Sequence, residues 1–145
     1  MRFFQTLSRV RRAATLGVRI VVEDEAGRVL LLRHTYTPGW HFPGGGVEFN
    51  QPALDAVAME LEEEVGLFLT GQPALFGLYA NAANFPGDHI AVYRVSDWRQ
   101  GEATSRGEIA EWHFFDRSAL PDGTTPGTLR RLAEVYAGAP ISKVW

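Results

Sequence analysis

Cysteine is absent from this 145-residue chain, which excludes disulfide staples and thiolate metal sites together. Any metal it holds must be held by oxygen or imidazole. The absence also fits the reducing cytoplasm, which is the expected location. Long apolar runs are missing: none approaches the roughly twenty residues needed to span a bilayer, so no membrane partner is expected. The net charge is only −3 at pH 7, without the basic balance that a nucleic-acid duplex calls for. Acids are missing locally as well. None precedes Glu23, while Arg2, Arg9, Arg11, Arg12 and Arg19 all lie in that stretch. A transit peptide or a membrane-surface helix has this composition. So does a short helix over residues 1–14 that docks Phe3, Phe4, Leu7 and Val10 on the domain with its arginines outside, and this is the expectation adopted.

What is present describes an ordinary globular chain, 46% hydrophobic and 21% charged, of a length that suits one domain spanning residues 1–145. β-Branched residues over 15–24, a turn at 25–28 and a second apolar run over 29–36 predict a hairpin. A helix is predicted from Pro52 to about Val65, stopped by Gly66. Strands are expected over 73–81 and 88–95, joined by a loop at 82–87. A further strand is expected over 108–116, reached through a polar loop at 96–107. Leu129, Leu132, Val135 and Tyr136 fall at helical spacing within a final helix over 124–138. The pattern is α+β.

The stretch "PGGGVEFNQPALDAVAMELEEEVGL" (residues 43–67) carries the chemistry. On a helical wheel Leu54, Val57, Ala58, Leu61 and Val65 make the core stripe. Glu60, Glu63 and Glu64 gather on a neighbouring face, and Glu62 points elsewhere. Like charges so placed cost roughly 0.2–0.5 kcal/mol per pair, and the helix C-terminus adds negative potential of its own. Neither lysine nor arginine answers them within the helix. One reading is a solvated acidic face. The other is a divalent-cation site, because three glycines beside the helix let backbone approach a ligand and offer a carbonyl as a hard oxygen donor. Oxygen donors of high charge suit Mg²⁺ or Mn²⁺, the usual ions of phosphate chemistry.

This stretch resembles the Nudix box of the Nudix hydrolases: a glycine, five residues, a glutamate, seven residues, then Arg-Glu-apolar-any-Glu-Glu-any-Gly-apolar. Gly45, Glu60, Leu61, Glu63, Glu64, Gly66 and Leu67 match it, while Gln51 stands on the first glutamate and Met59 on the arginine. The likeness extends over nearly all of the chain after residue 14. It implies an α/β/α sandwich with a mixed central sheet, acting on a nucleoside diphosphate linked to another moiety. It further implies Mg²⁺ or Mn²⁺ on Glu60, Glu63 and Glu64 with the carbonyl of Gly44. These glutamates or a later acid, Glu108 or Glu111, would activate water, and Glu111 is the expected choice. Dimers are frequent in the family, so a homodimer stays open.

Arg33 and Phe85 are the expected substrate-binding residues. Tyr36, Trp40 and Phe42 could stack on a base or belong to the core. Asn81 and Asn84 either read a base edge or make turns, and His89 is read as the start of a strand. Nucleoside triphosphates, ADP-ribose and nucleotide sugars all fit, and a nucleotide-binding module without turnover is the alternative. Gln51 cannot be an anionic ligand, and Met59 cannot brace Glu60. Restoring both with Gln51→Glu and Met59→Arg should raise turnover about tenfold or lower the metal requirement, since supporting contacts carry effects of this order. Unchanged phosphate-release kinetics in the double variant would contradict that reading.

Overall fold

Val18, Ile20 and Val22 alternate with Arg19 and Val21 along "TLGVRIVV", and the flanking apolar positions on both parities are buried. A strand apolar on both faces belongs in the middle of a sheet with helices on either side, and this is where it lies. The computed structural model describes residues 13–104 and 107–145. The described strands are β1 (Thr15–Val22), β2 (Val29–His34), β3 (Gly44–Gly46), β4 (Leu67–Leu69), β5 (Ala74–Ala80), β6 (Asp88–Val95), β7 (Trp98–Gln100) and β8 (Ile109–Phe115). Helix α1 (Ala53–Val65) follows β3, and α2 (Pro126–Tyr136) follows β8. The largest sheet has the order β3-β1-β6-β5, with β1 and β6 parallel and the other pairs antiparallel. β2 pairs with β8, and β4 with β7.

Two cores result. Val18, Ile20 and Val22 pack with Ala56, Val57, Leu61 and Val65 of α1. On the other face Val21, Leu31, Phe42, Tyr79 and Val92 pack with Leu132 of α2. The mixed sheet between two helices is the α/β/α arrangement expected. Helix α1 ends as predicted, at Gly66 with φ 66°. Among the described residues no helix is long and apolar enough to cross a membrane. The basic segment predicted as a docked helix lies largely outside the described residues.

Three expectations are corrected. The predicted hairpin of 15–24 with 29–36 is not a ladder. Its turn forms, with Asp24 Oδ1 accepting from the backbone N–H of Ala26 and Arg28 at 3.0 and 2.8 Å. A single bridge, Glu23 to Val29, joins the arms, and β2 then leaves for β8. Each arm found a longer partner elsewhere. The core stripe of α1 is also rotated: Leu54 is 37% exposed while Ala56 is fully buried, and the buried stripe runs through Ala56, Val57, Leu61, Glu64 and Val65. The three-residue strands β3 and β7 form in stretches expected to be loop, and β4, of the same length, has no counterpart among the expected elements.

A buried ion pair fastens α2. Arg131 Nε lies 2.6 Å from Glu134 Oε2, close by distance though not a linear hydrogen bond, and both side chains are almost fully buried. Tyr79 donates its hydroxyl to the same oxygen at 3.1 Å, and Ser142 N–H donates to Glu134 Oε1 at 2.6 Å. The guanidinium sits 4.1 Å from the Tyr79 ring centroid and 5.1 Å from that of Trp145. Removing one partner of such a pair strands the other in low dielectric. Arg131→Ala should therefore destabilise the chain by about 3–5 kcal/mol, read from its urea midpoint. Arg131→Met with Glu134→Leu should lose much less, because both charges leave together.

Candidate active site

The acidic helix meets the sheet at β3, a strand without side chains. Gly44 pairs with Arg19 and Gly45 with Val18 of β1. A Cβ on Gly44, at φ +153°, would run into the Val18 carbonyl, and one on Gly45 would fall inside the Glu60 carboxylate. Bare backbone is thus what lets α1 bring carboxylates to the sheet edge. Glu64 Oε1 accepts the Gly44 N–H at 2.7 Å. The expected metal donor at this glycine is its carbonyl; the contact that Glu64 makes is with its amide.

Glu64 is buried to 7% exposure, and its carboxyl is pushed up to about 8, chiefly by desolvation and further by Glu60, against the lowering effect of the Gly44 bond. Burial also raises Glu60, with Glu63 adding to the shift. Glu63 is exposed and Glu62 only half-buried. Among the described residues none of Glu60, Glu63 and Glu64 has an ion-pair partner in contact. Nor does any set of three acidic or imidazole side chains there converge on one point. The donors are nonetheless hard oxygens, two of them partly desolvated and without a contacting cation, a chemistry that suits a divalent ion.

Arg19, read at first with the basic N-terminal stretch, is the residue sequence reasoning missed. Its charge acts on both Glu64 and Glu60, while burial lowers its own proton affinity. The signal available was its position inside a strand pattern rather than before it. Met59 and Gln51, the two departures from the box, touch: Gln51 Nε2 lies 3.7 Å from Met59 Sδ, and Gln51 Oε1 accepts the Glu48 N–H at 2.9 Å. A neutral pair occupies the place of a charged one.

Glu111 lines a hollow of about 370 Å³ together with Glu64, although its carboxylate is engaged elsewhere. It pairs in register with Arg33, on the face of β8 that carries His113 and Phe115 toward the second core. Arg33 Nε donates to Glu111 Oε1 at 2.7 Å and His113 Nε2 lies 3.1 Å from Oε2. These bonds, His113 first, hold the Glu111 carboxyl below the usual range. Strand alternation puts its side chain on the face opposite Trp112 and Phe114. Glu108, in the approach to β8, is instead the late acid whose charge is felt by Glu60 and Glu64. Arg33 is likewise committed, to Glu111 and to a contact over Trp40 at 5.3 Å.

On the other face of β1 lies a cavity of about 480 Å³, lined by Arg19, His41, Asn81, Phe85, Thr128 and Trp145 among others. Phe85, 68% exposed, stands on its rim. Asn81 makes the turn after all, donating to Asp88 Oδ2 and accepting from Asn84, both at 2.8 Å, while still facing the cavity. Trp40 and Phe42 are core, Tyr36 is exposed, and His89 lies in β6. A slightly larger hollow of about 560 Å³ lies by Asp24, Arg28 and Trp98, at the carboxyl ends of β1 and β6. Neither of these cavities is lined by the three glutamates; Glu64 lines a smaller hollow of about 370 Å³ with Ile109 and Trp112.

The raised Glu64 has a thermodynamic consequence. Its folded value is near 8 against an ordinary 4.5, so between these limits the folded state holds the extra proton. The stability this group contributes is complete below 4.5 and is lost as pH rises toward 8. The thermal midpoint of the metal-free chain should fall across that window, Glu64→Gln should flatten the fall, and Mg²⁺ should offset it at the upper end.

Comparison with known proteins agrees with this geometry. The family described as "NUDIX domain" matches residues 13–135. The chain is 50% identical over 51 residues to an RNA pyrophosphohydrolase of Halorhodospira halophila, covering 35% of this chain and 28% of that protein. It is 29% identical over 102 residues to an ADP-ribose pyrophosphatase of Methanocaldococcus jannaschii, covering 68% and 60%. The crystal structure of a MutT NUDIX hydrolase from Burkholderia pseudomallei superposes with a TM-score of 0.73 at 26% identity, over 85% of this chain and 98% of that one. The chain thus spans under two thirds of either curated relative. A family match over most of its length, and an acidic helix seated on a side-chain-free strand beside a cavity, make this chain a member of the Nudix family.

Proposed function

We propose that the chain is a pyrophosphohydrolase of nucleoside diphosphate derivatives that works with Mg²⁺ or Mn²⁺. The observation that carries the proposal is the placement of Glu60 and Glu64 against one side of β3 while the cavity opens beside Arg19 on the other. A nucleoside fits a cavity of about 480 Å³, since small-molecule sites of this kind run from about 300 to 1,000 Å³. Phe85 offers a stacking face at its rim, and Asn81, Asn84 and Thr128 offer hydrogen bonds. The diphosphate then extends past Arg19 toward the carboxylates.

Glu60, Glu63 and Glu64, with backbone oxygen of the glycine strand, are the groups that would hold the divalent ions. Such ions supply charge neutralisation on the phosphate oxygens and an acidified water. The chain's own contribution is to position and to exchange protons. Glu64 is held by the Gly44 amide at 2.7 Å. Glu63, which is exposed, and Glu108, in the approach to β8, are the groups that would accept a proton from water. Burial raises the proton affinity of both Glu60 and Glu64, and with Glu64 pushed up to about 8 an ion bound there must displace its proton at neutral pH.

A second reading is favoured by one specific observation: the neutral Gln51–Met59 contact in place of a charged pair. It makes the chain a nucleotide-binding module with weak turnover. A panel of nucleoside triphosphates, ADP-ribose and nucleotide sugars, followed by product analysis with Mg²⁺ and Mn²⁺, separates the two. Under the first reading Glu63→Gln and Glu60→Gln should each lower kcat at least a hundredfold while nucleotide affinity stays within a few-fold, since removal of a group acting chiefly in the transition state costs on this order. Binding without metal-dependent product from any member of the panel would establish the second.

A further inference from the structure

Arg19 occupies a position that no other described side chain shares. Strand alternation puts it on the face of β1 opposite Val18 and Ile20, among the residues that line the cavity with Thr37, His41 and Phe42. Yet its backbone neighbour in the sheet is Gly44, whose amide holds Glu64. β3 carries no side chains that could stand between this arginine and the carboxylates. The charge of Arg19 accordingly acts on Glu60 and Glu64 on one side and on His34 and His41 on the other. An arginine carries five N–H donors in a planar fork. Among the described residues this one makes a single bond, Nη1 to the carbonyl of Val18 at 2.8 Å. The rest of the fork is free, and Met59 supplies no cation from the helix side.

We propose that Arg19 grips the non-bridging oxygens of the substrate's diphosphate, holding it between the cavity on one side and the glutamates on the other. The proposal rests on the pyrophosphohydrolase reading above and adds a residue to it. A diphosphate carries charge of the same sign as Glu60, Glu63 and Glu64, so a site built from those acids needs a fixed cation to keep the substrate from being repelled. A guanidinium suits the task because its fork matches two phosphate oxygens at once, which an ammonium cannot do. Arg19 does not brace Glu60 in the manner of a box arginine, since no hydrogen bond joins them. Its role is toward the ligand.

The test is calorimetric titration in Mg²⁺ with α,β-methylene-ADP, whose P–C–P bridge is not hydrolysed, with methylenediphosphonate, and with adenosine. Arg19→Gln should weaken both diphosphonates about tenfold to a hundredfold, the range for hydrogen bonds to charged groups, and leave adenosine unchanged. Arg19→Lys should fall between, retaining charge without the fork, and it decides the matter should the glutamine variant fail to fold by circular dichroism. An unchanged ratio of α,β-methylene-ADP to adenosine affinity in the variants overturns the clamp while leaving the nucleotide reading intact. Weakened methylenediphosphonate binding in a chain that ignores adenosine keeps the clamp and removes the nucleoside assignment. Binding of none of the three by the unaltered chain overturns both.

Discussion

One hydrogen bond, from the Gly44 amide to Glu64 Oε1 at 2.7 Å, ties the acidic helix to the central sheet, and the arrangement of the site follows from it. The bond forms only where β3 is bare backbone, because side chains at 44 or 45 would occupy the space of the Val18 carbonyl or the Glu60 carboxylate. It also fixes a carboxyl in a buried place where ionisation is resisted by desolvation. Once Glu64 is anchored, the helical spacing carries Glu60 and Glu63 to neighbouring positions without further contacts. The cluster is therefore a product of two elements of backbone, with very little side-chain scaffolding.

The same economy accounts for what the two substitutions in the box do locally. Gln51 retains a structural bond to the Glu48 amide, and its amide nitrogen rests on the Met59 sulfur. The contact is weak, but it leaves no buried charge unpaired. Replacing only one member of a charged pair would have stranded the other at a cost of several kcal/mol. Losing both together is the change that a fold tolerates. Positive potential in the neighbourhood then comes from β1, through Arg19, rather than from α1.

Much of this was legible in the chain, and the failures have physical causes. The long elements, β6 and α1 especially, followed from periodicity, turn residues and the Gly66 stop. The acidic face was readable because helical geometry is local. Pairing was not: the turn at Asp24 invites a hairpin, but β1 and β2 are each claimed by strands far along the chain, and local sequence is silent about such competition. The direction of Glu111 depended on the same missing register. Once Arg33 and Glu111 are opposite one another across β2 and β8, their mutual attraction settles where both point. Arg19 was overlooked because its charge suggested the basic stretch before it, although Gly17, Val18 and Ile20 around it read as strand.

The pairings that escaped the sequence also govern how the chain comes to be folded. Thr15 meets Asp88 and Leu32 meets Trp112, so both central ladders close very long loops, and chains dominated by distant pairings fold slowly. The tie between Gly44 and Glu64 spans only 20 residues. Loop-closure entropy thus favours an order of assembly in which the glycine strand and its helix meet early. The cavity, with walls drawn from Arg19 through to Trp145, takes shape only after the far ends of the chain have returned.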